Sequence, residues 1–227
     1  MIKENLAAIQ ERIKKAAARA GRQADEITLI AVSKRKPLAM IAEAIAAGQL
    51  DFGENYLQEA LEKIEALGHQ ARFHFIGTLQ SNKAKDAATL CHMIHTVDRL
   101  KLARELEKHA RAAGRRVAIL IQINVGREGQ KGGVLPEDAE ALIRQMQDFC
   151  HLEIQGLMTM PPYRADPEEV RPYFAELRRL GAELQKKGLI AVHCPLQLSM
   201  GMSGDFEVAI AEGATLIRVG TAIFGER

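Results

Sequence analysis

Short apolar runs rich in β-branched residues recur along this chain, each separated from the next by a stretch of helical spacing. Thr28-Leu-Ile-Ala-Val-Ser-Lys34, Leu50-Asp-Phe-Gly53, Arg72-Phe-His-Phe-Ile-Gly77, Met93-Ile-His-Thr-Val97, Val117-Ala-Ile-Leu-Ile-Gln-Ile-Asn124, Leu152-Glu-Ile-Gln-Gly-Leu-Met158, Leu196-Gln-Leu-Ser199 and Thr215-Leu-Ile-Arg-Val-Gly220 read as eight strands. Apolar runs of this length, bounded by charge, proline or glycine, suit strands covered on both faces, as in a parallel sheet. The intervening segments 38–47, 56–67, 81–90, 98–113, 136–150, 168–187 and 206–211 read as helices. Asp98 caps one, and Pro136 occupies the favoured first turn of another. An extra helix precedes the first strand over residues 2–20, with Leu6, Ile9, Ile13 and Ala17 on one face and Gly21 as its stop. No clear helix follows the eighth strand. Eight such units predict an α/β fold, a single (β/α)8 TIM-type barrel with an extra N-terminal helix, as one domain over residues 1–227. An open doubly wound sheet is the alternative, but no Gly-rich dinucleotide turn follows the first strand.

The charge balance narrows the partners. The 227 residues carry a formal net charge of +2, which gives no electrostatic case for nucleic acid or a membrane surface. Basic and acidic residues alternate, as in Arg104-Glu105-Leu106-Glu107-Lys108, in the manner of a solvated helix face. Cys91, Cys150 and Cys194 are odd in number and share no close spacing, which argues against a disulfide framework and fits a reducing, cytoplasmic setting. The N-terminus lacks an apolar signal core, and no stretch approaches the roughly 20 apolar residues that span a bilayer. Little hydrophobic excess is visible on the outer helices, so a monomer is expected.

Lys34 ends the first strand abruptly, on the side of an α/β sheet where loops build active sites. A lysine in partly apolar surroundings loses some preference for its charged form, and its neutral amine attacks carbonyls. Lys34 is therefore a Schiff-base candidate; the plainer reading is a lysine that closes a strand and faces solvent. In a closed barrel its neighbours are the loops after strands seven and eight. The first is Ser199-Met-Gly-Met-Ser-Gly204 and the second opens with Arg218-Val-Gly220-Thr221. Hydroxyls, glycine backbone and a cation before helix N-termini suit a phosphate. The plainer readings are a flexible turn and an Arg218 paired with Glu207 or Glu212. An amine beside a phosphate cradle points to an aldehyde that carries a phosphate, and pyridoxal 5′-phosphate (PLP) is a cofactor of that kind.

The motifs Ala31-Val-Ser-Lys34, Phe52-Gly-Glu-Asn-Tyr56, His74-Phe-Ile-Gly-Thr-Leu-Gln-Ser-Asn-Lys83, Gly156-Leu-Met158, Ser199-Met-Gly-Met-Ser203 and Arg218-Val-Gly-Thr-Ala-Ile-Phe-Gly225 resemble the pyridoxal phosphate homeostasis protein family, in the same order and over nearly the whole chain. The resemblance implies the barrel of the alanine racemase N-terminal domain, with Lys34 bonded to the cofactor aldehyde. Ser199, Ser203, Gly220 and Thr221 then match the phosphate contacts. Arg35, Thr78 and Gly132 depart from the family pattern, where a threonine, a proline and a serine are expected. Arg218 contacts either the pyridine nitrogen, which its charge would keep unprotonated, or the phosphate.

Further residues carry weaker expectations. Asn55 and Tyr56 line the mouth, or Asn55 caps a helix. His74 reads as a satisfied core histidine before an acid or base. Lys36, Lys83 and Lys131 are candidates for holding or passing on a second aldehyde. Cys91, His92 and His95 are close in sequence, but neighbours on a strand face opposite ways, so no metal is expected.

Racemisation needs a base on each face of the cofactor, and Lys34 supplies one. In the racemases that this barrel resembles, a tyrosine from an additional domain supplies the other, and this chain ends at Phe224-Gly-Glu-Arg227. The expected function is thus PLP binding for intracellular PLP homeostasis, as buffer or as delivery to apo PLP-dependent enzymes. The alternative is a weak racemase or related enzyme with Lys34 as base and Tyr56 or His74 opposite. A barrel acting on a phosphorylated sugar through Lys34 is a third reading.

Overall fold

Each apolar run forms a strand because two layers wait to cover it: helices outside and a packed lumen inside. In the computed structural model, which describes residues 1–225, the eight strands are parallel and close into a barrel in sequence order. Glu226 and Arg227, at the chain end discussed above, lie outside the described residues. The strands are β1 (Thr28–Val32), β2 (Asp51–Glu54), β3 (Arg72–Phe75), β4 (Met93–Val97), β5 (Val117–Gln122), β6 (Leu152–Met158), β7 (Gln197–Ser199) and β8 (Leu216–Val219). The helices are α1 (Ile2–Arg19), α2 (Leu38–Ala46), α3 (Leu57–Leu67), α4 (Ala84–Leu90), α5 (Leu100–Ala112), α6 (Ala139–Arg144), α7 (Arg171–Lys186), α8 (Phe206–Ala211) and α9 (Thr221–Phe224).

Closure rests on β1 and β8, which pair through Thr28 with Leu216, Leu29 with Ile217, Ile30 with Arg218 and Ala31 with Val219. Side chains alternate between the faces. Leu29, Ala31, Ile217 and Val219 join the large core between sheet and helices, while Ile30, Met93, Leu120, Met158 and Leu216 form a separate apolar cluster. Helix α1 buries Ile2, Leu6, Ile9, Ile13, Ala16 and Ala17. Its Asn5 side chain donates to the Ile223 carbonyl at 2.8 Å, tying the first helix to the last.

Three expectations differ in detail. A one-turn helix, α9, does follow the eighth strand. The helix expected over 136–150 opens as a tight turn at Pro136–Asp138 and regular helix ends at Arg144. Beyond it the chain makes three-residue bonds, Met146 N to Ile143 O and Phe149 N to Met146 O, a common way for a helix end to tighten. Asp98 does not cap α5: Arg99 holds the N-cap position, and the Asp98 carboxylate pairs with the Arg99 guanidinium instead.

Glycine sets the spacing at one wall. Strands β6 and β7 approach so closely at Gly156 that a Cβ there would lie 1.8 Å from the Gln197 carbonyl oxygen. We expect Gly156→Ala to destabilise the protein by about 3 kcal/mol through forced backbone displacement, read as a lower urea midpoint with an unchanged slope.

Candidate functional site

The C-terminal ends of the strands surround a cavity of ≈ 310 Å³, within the size range of small-ligand sites. Lys34 enters from beyond β1, Asn55 from beyond β2, Ile76 from beyond β3 and Met160 from beyond β6. Met202, Ser203 and Gly204 come from the loop after β7, and Arg218, Gly220 and Thr221 from β8 and its end. Of the residues singled out in the sequence, Lys34, Asn55, Ser203, Arg218, Gly220 and Thr221 thus share one space.

Lys34 is placed by what grips its neighbours. Ser33 is buried, and its hydroxyl donates to Glu54 Oε1 at 2.6 Å. Lys63, from α3, donates to the same oxygen at 2.6 Å and to the Ser33 carbonyl at 2.8 Å. On the other side Arg35 adopts φ 59°, the left-handed region that side chains avoid, and its N–H donates to Glu59 Oε2 at 2.7 Å. The backbone on both sides of the lysine is therefore fixed by ionic groups. Burial pushes the Glu54 carboxyl up, against the hydrogen bonds from Lys63 and Ser33 that lower it.

The opposite wall carries hydroxyls. Thr221 Oγ1 donates to Ser203 Oγ at 3.3 Å. The loop that presents Ser203 turns at Gly201, φ 92°, and is pinned by the Met202 N–H donating to Asp205 Oδ1 at 2.6 Å. A Cβ on Gly220 would press on Val32 at 3.3 Å, so this wall is built for close approach. Asn55 Oδ1 is buried and accepts from no group among the described residues. Such an orphan oxygen marks a place for a ligand donor.

Arg218 is 4% exposed. Its Nη1 donates to Ser199 Oγ at 2.6 Å and its Nη2 to the Thr159 carbonyl at 2.8 Å, so neither Glu207 nor Glu212 is its partner. Those acids pair elsewhere, Glu207 with Arg12 and Glu212 with Arg171 and Arg178. Burial lowers the Arg218 pKa to about 10, with Asp205 opposing, which leaves the guanidinium charged at neutral pH.

Several expected residues sit elsewhere. Ser199 does not line the cavity: it lies fully buried behind Arg218, with its hydroxyl 2.8 Å from His95 Nδ1. Asn55 is not a helix cap, since α3 begins after Tyr56. Tyr56 lies outside this cavity, against a neighbouring cleft with Lys83, and is 47% exposed under the Arg35 guanidinium. His74 is a core histidine, 3.0 Å from His95 and 3.1 Å from Asp51, and also outside the cavity. Neither proposed second base therefore faces Lys34. Lys36 lines the cavity and donates to the Phe224 and Gly225 carbonyls at 3.2 Å, while Lys131 pairs with Glu128. His92 and His95 do converge, each with its ring 5.2 Å from that of His74, but Cys91 packs in the outer core. No group of residues suited to a metal occurs among the described residues.

Lys63 and Asp51 were not singled out in the sequence, Ser33 and Glu54 stood only as members of motifs, and His95 was weighed only as a metal ligand. A signal exists for one: Lys63 falls on the buried stripe of α3 with Leu57 and Ala60, where a lysine needs a partner.

The barrel, with a lysine and a wall of hydroxyls and glycine backbone at its C-terminal mouth, has the architecture of the alanine racemase N-terminal class, and the family model of the alanine racemase N-terminal domain matches residues 5–227. Within that class the chain belongs to the pyridoxal phosphate homeostasis protein family. The protein of that name from Aquifex aeolicus is 46% identical over 225 residues, 99% of this chain and 97% of the relative. Its Pseudomonas aeruginosa counterpart is 44% identical over 227 residues, 100% and 96% of the two chains. Among solved structures, PipY of Synechococcus elongatus with PLP bound is 38% identical, with a TM-score of 0.85 over 99% of this chain and 100% of its own. Alanine racemase from Corynebacterium glutamicum, at 21% identity and a TM-score of 0.70, shares the fold; the match covers 98% of this chain and 62% of that one.

Two measurements test the supports of the site. Removing the cation from the Glu54 pair leaves a buried carboxylate uncompensated, so Lys63→Met should cost about 3 kcal/mol in urea unfolding, and Glu54→Leu in the same chain should recover most of it. Burial raises the Asp51 carboxyl, but hydrogen bonds from His74 and Arg72 outweigh it and hold the pKa at about 2. A depressed carboxylate stabilises the fold fully above its unfolded value of about 4 and loses that contribution as pH falls through the folded value. The urea midpoint should therefore drop between about pH 4 and pH 2, and Asp51→Asn should flatten that slope.

Proposed function

We propose that this chain binds pyridoxal 5′-phosphate at the barrel mouth, as a Schiff base on Lys34, and serves intracellular PLP homeostasis by buffering or delivering the cofactor. The observation that carries this reading is the shared cavity: the Lys34 amine stands in one space with Ser203, Gly220, Thr221 and charged Arg218. The residues fit the group. The hydroxyls and glycine backbone offer donors to a phosphate, the orphan Asn55 Oδ1 offers an acceptor, and Lys34 offers the nucleophile. Bound PLP would supply an electrophilic aldehyde, and with the right partners an electron sink. The names of the relatives and the PLP bound to PipY support the same reading. Ser199 takes part indirectly, by holding Arg218.

The barrel of residues 1–227 acts as a single domain and a monomer in the cytoplasm, and apo PLP-dependent enzymes are the acceptors. No helix among the described residues is long and apolar enough to cross a membrane, and neither nucleic acid nor membrane is a partner. A carrier is favoured over a racemase by the positions of Tyr56 and His74 outside the Lys34 cavity.

Purified protein incubated with PLP should be yellow, and borohydride should fix the cofactor mass onto the peptide holding Lys34; Lys34→Ala should show neither. A colourless wild type that takes up no PLP sinks the proposal and favours the phosphorylated-sugar barrel. Amino acids incubated with the loaded protein in heavy water should gain no α-deuterium above that caused by free PLP; faster exchange would make the chain an enzyme.

A further inference from the structure

A line of polar side chains runs through the lumen of the barrel, from its N-terminal end to the cavity floor. It begins at Arg72, which donates to Asp51 Oδ1 and Oδ2 at 2.7 and 2.6 Å. His74 Nε2 lies 3.1 Å from Asp51 Oδ1, His74 Nδ1 3.0 Å from His95 Nε2, and His95 Nδ1 2.8 Å from Ser199 Oγ. Ser199 Oγ accepts from Arg218 Nη1 at 2.6 Å. His74, His95, Ser199 and Arg218 are all buried, and none of the buried nitrogen or oxygen atoms in the line lacks a partner.

The two ends have fixed polarity. A guanidinium only donates and a carboxylate only accepts. With Arg218 donating into Ser199 Oγ, the serine proton has one acceptor, His95 Nδ1. His95 then carries its proton on Nε2 and donates to His74 Nδ1, and His74 carries its proton on Nε2 and donates to Asp51. Every donor meets an acceptor. Reversing the histidines would strand the Ser199 hydroxyl proton in a buried place, an arrangement that proteins avoid.

We propose that Ser199, His95, His74 and Asp51 form a one-way hydrogen-bond chain that orients Arg218 at the cavity floor, which makes Asp51, at the far end of the barrel, a positioning residue for the bound ligand. Two of the five guanidinium N–H groups are held by Ser199 and Thr159, and the others keep one direction relative to the cavity. The ligand part of this inference rests on the PLP reading; the direction of the chain does not.

The test begins on the protein without PLP. Long-range proton–nitrogen correlation spectra at neutral pH should show His74 and His95 each protonated on Nε2 alone. A proton on Nδ1 of either ring, or on both nitrogens, overturns the one-way chain. In Asp51→Ala, checked for folding by circular dichroism, His95 should lose its single tautomer although it does not touch residue 51. PLP should then bind about tenfold more weakly, the effect of one lost hydrogen bond to a charged group, while borohydride still fixes it to Lys34. His95→Phe, which cuts the chain and leaves the Asp51–Arg72 pair, should weaken binding to the same degree. Affinity within twofold of wild type in both variants overturns the positioning role. A wild type that takes up no PLP overturns the cofactor reading and with it the positioning role, while the tautomers of the unloaded protein still decide the direction of the chain.

Discussion

The site depends on the pairing of the first strand with the last. In an open sheet of eight strands, β1 and β8 would lie about 34 Å apart, seven spacings of about 4.8 Å. Closure sets Ile30 beside Arg218 and Ala31 beside Val219, so the loops that leave the two strands emerge side by side. Lys34 on one loop and Gly220 and Thr221 on the other thereby face a common cavity. The four register pairs of β1 and β8 do for the site what no local sequence preference can do.

A closed barrel of eight strands has to fill its own interior, and this one fills it with two kinds of material. Ile30, Met93, Leu120, Met158 and Leu216 make an apolar cluster. Beside it run the imidazoles, serine and guanidinium that connect Asp51 to Thr159. Buried polar groups are tolerable only when satisfied, and a low dielectric then makes their mutual bonds stiff. His95, fully buried and close to His74 and Arg218, is pushed well below the usual histidine pKa, by burial first and by those neighbours second. An uncharged His95 fits a network that already holds the Arg218 guanidinium next to it, at the cavity.

The same economy governs the lysine. Glu54 and Lys63 do not line the cavity, yet they hold the side chain and the carbonyl of Ser33, the residue before Lys34. Glu59 holds the residue after it, in a left-handed conformation that a surface loop would not keep unaided. An amine on a rigid support would spend little binding free energy on being ordered when a ligand binds.

The sequence by itself determined the eight strands, the outer helices and the identity of Lys34, Ser203, Arg218, Gly220 and Thr221 as candidates. Those follow from local rules: apolar runs, helical spacing, and glycine and hydroxyl residues after strands. Only the tertiary structure decided that Ser199 sits behind Arg218 and not at the cavity, that His74 joins a buried line, and that Tyr56 stands outside the mouth. Ser199 and Ser203 look alike in the sequence, four positions apart in one glycine-rich loop. What separates them is that Ser199 ends β7 with its side chain in the buried line, whereas Ser203 lies beyond the strand in the loop that lines the cavity, and where β7 ends is fixed by its pairing with strands far apart in sequence. Asp51 and Glu54 were hidden for the same reason, because a charged residue reads as exposed until the fold brings its partner.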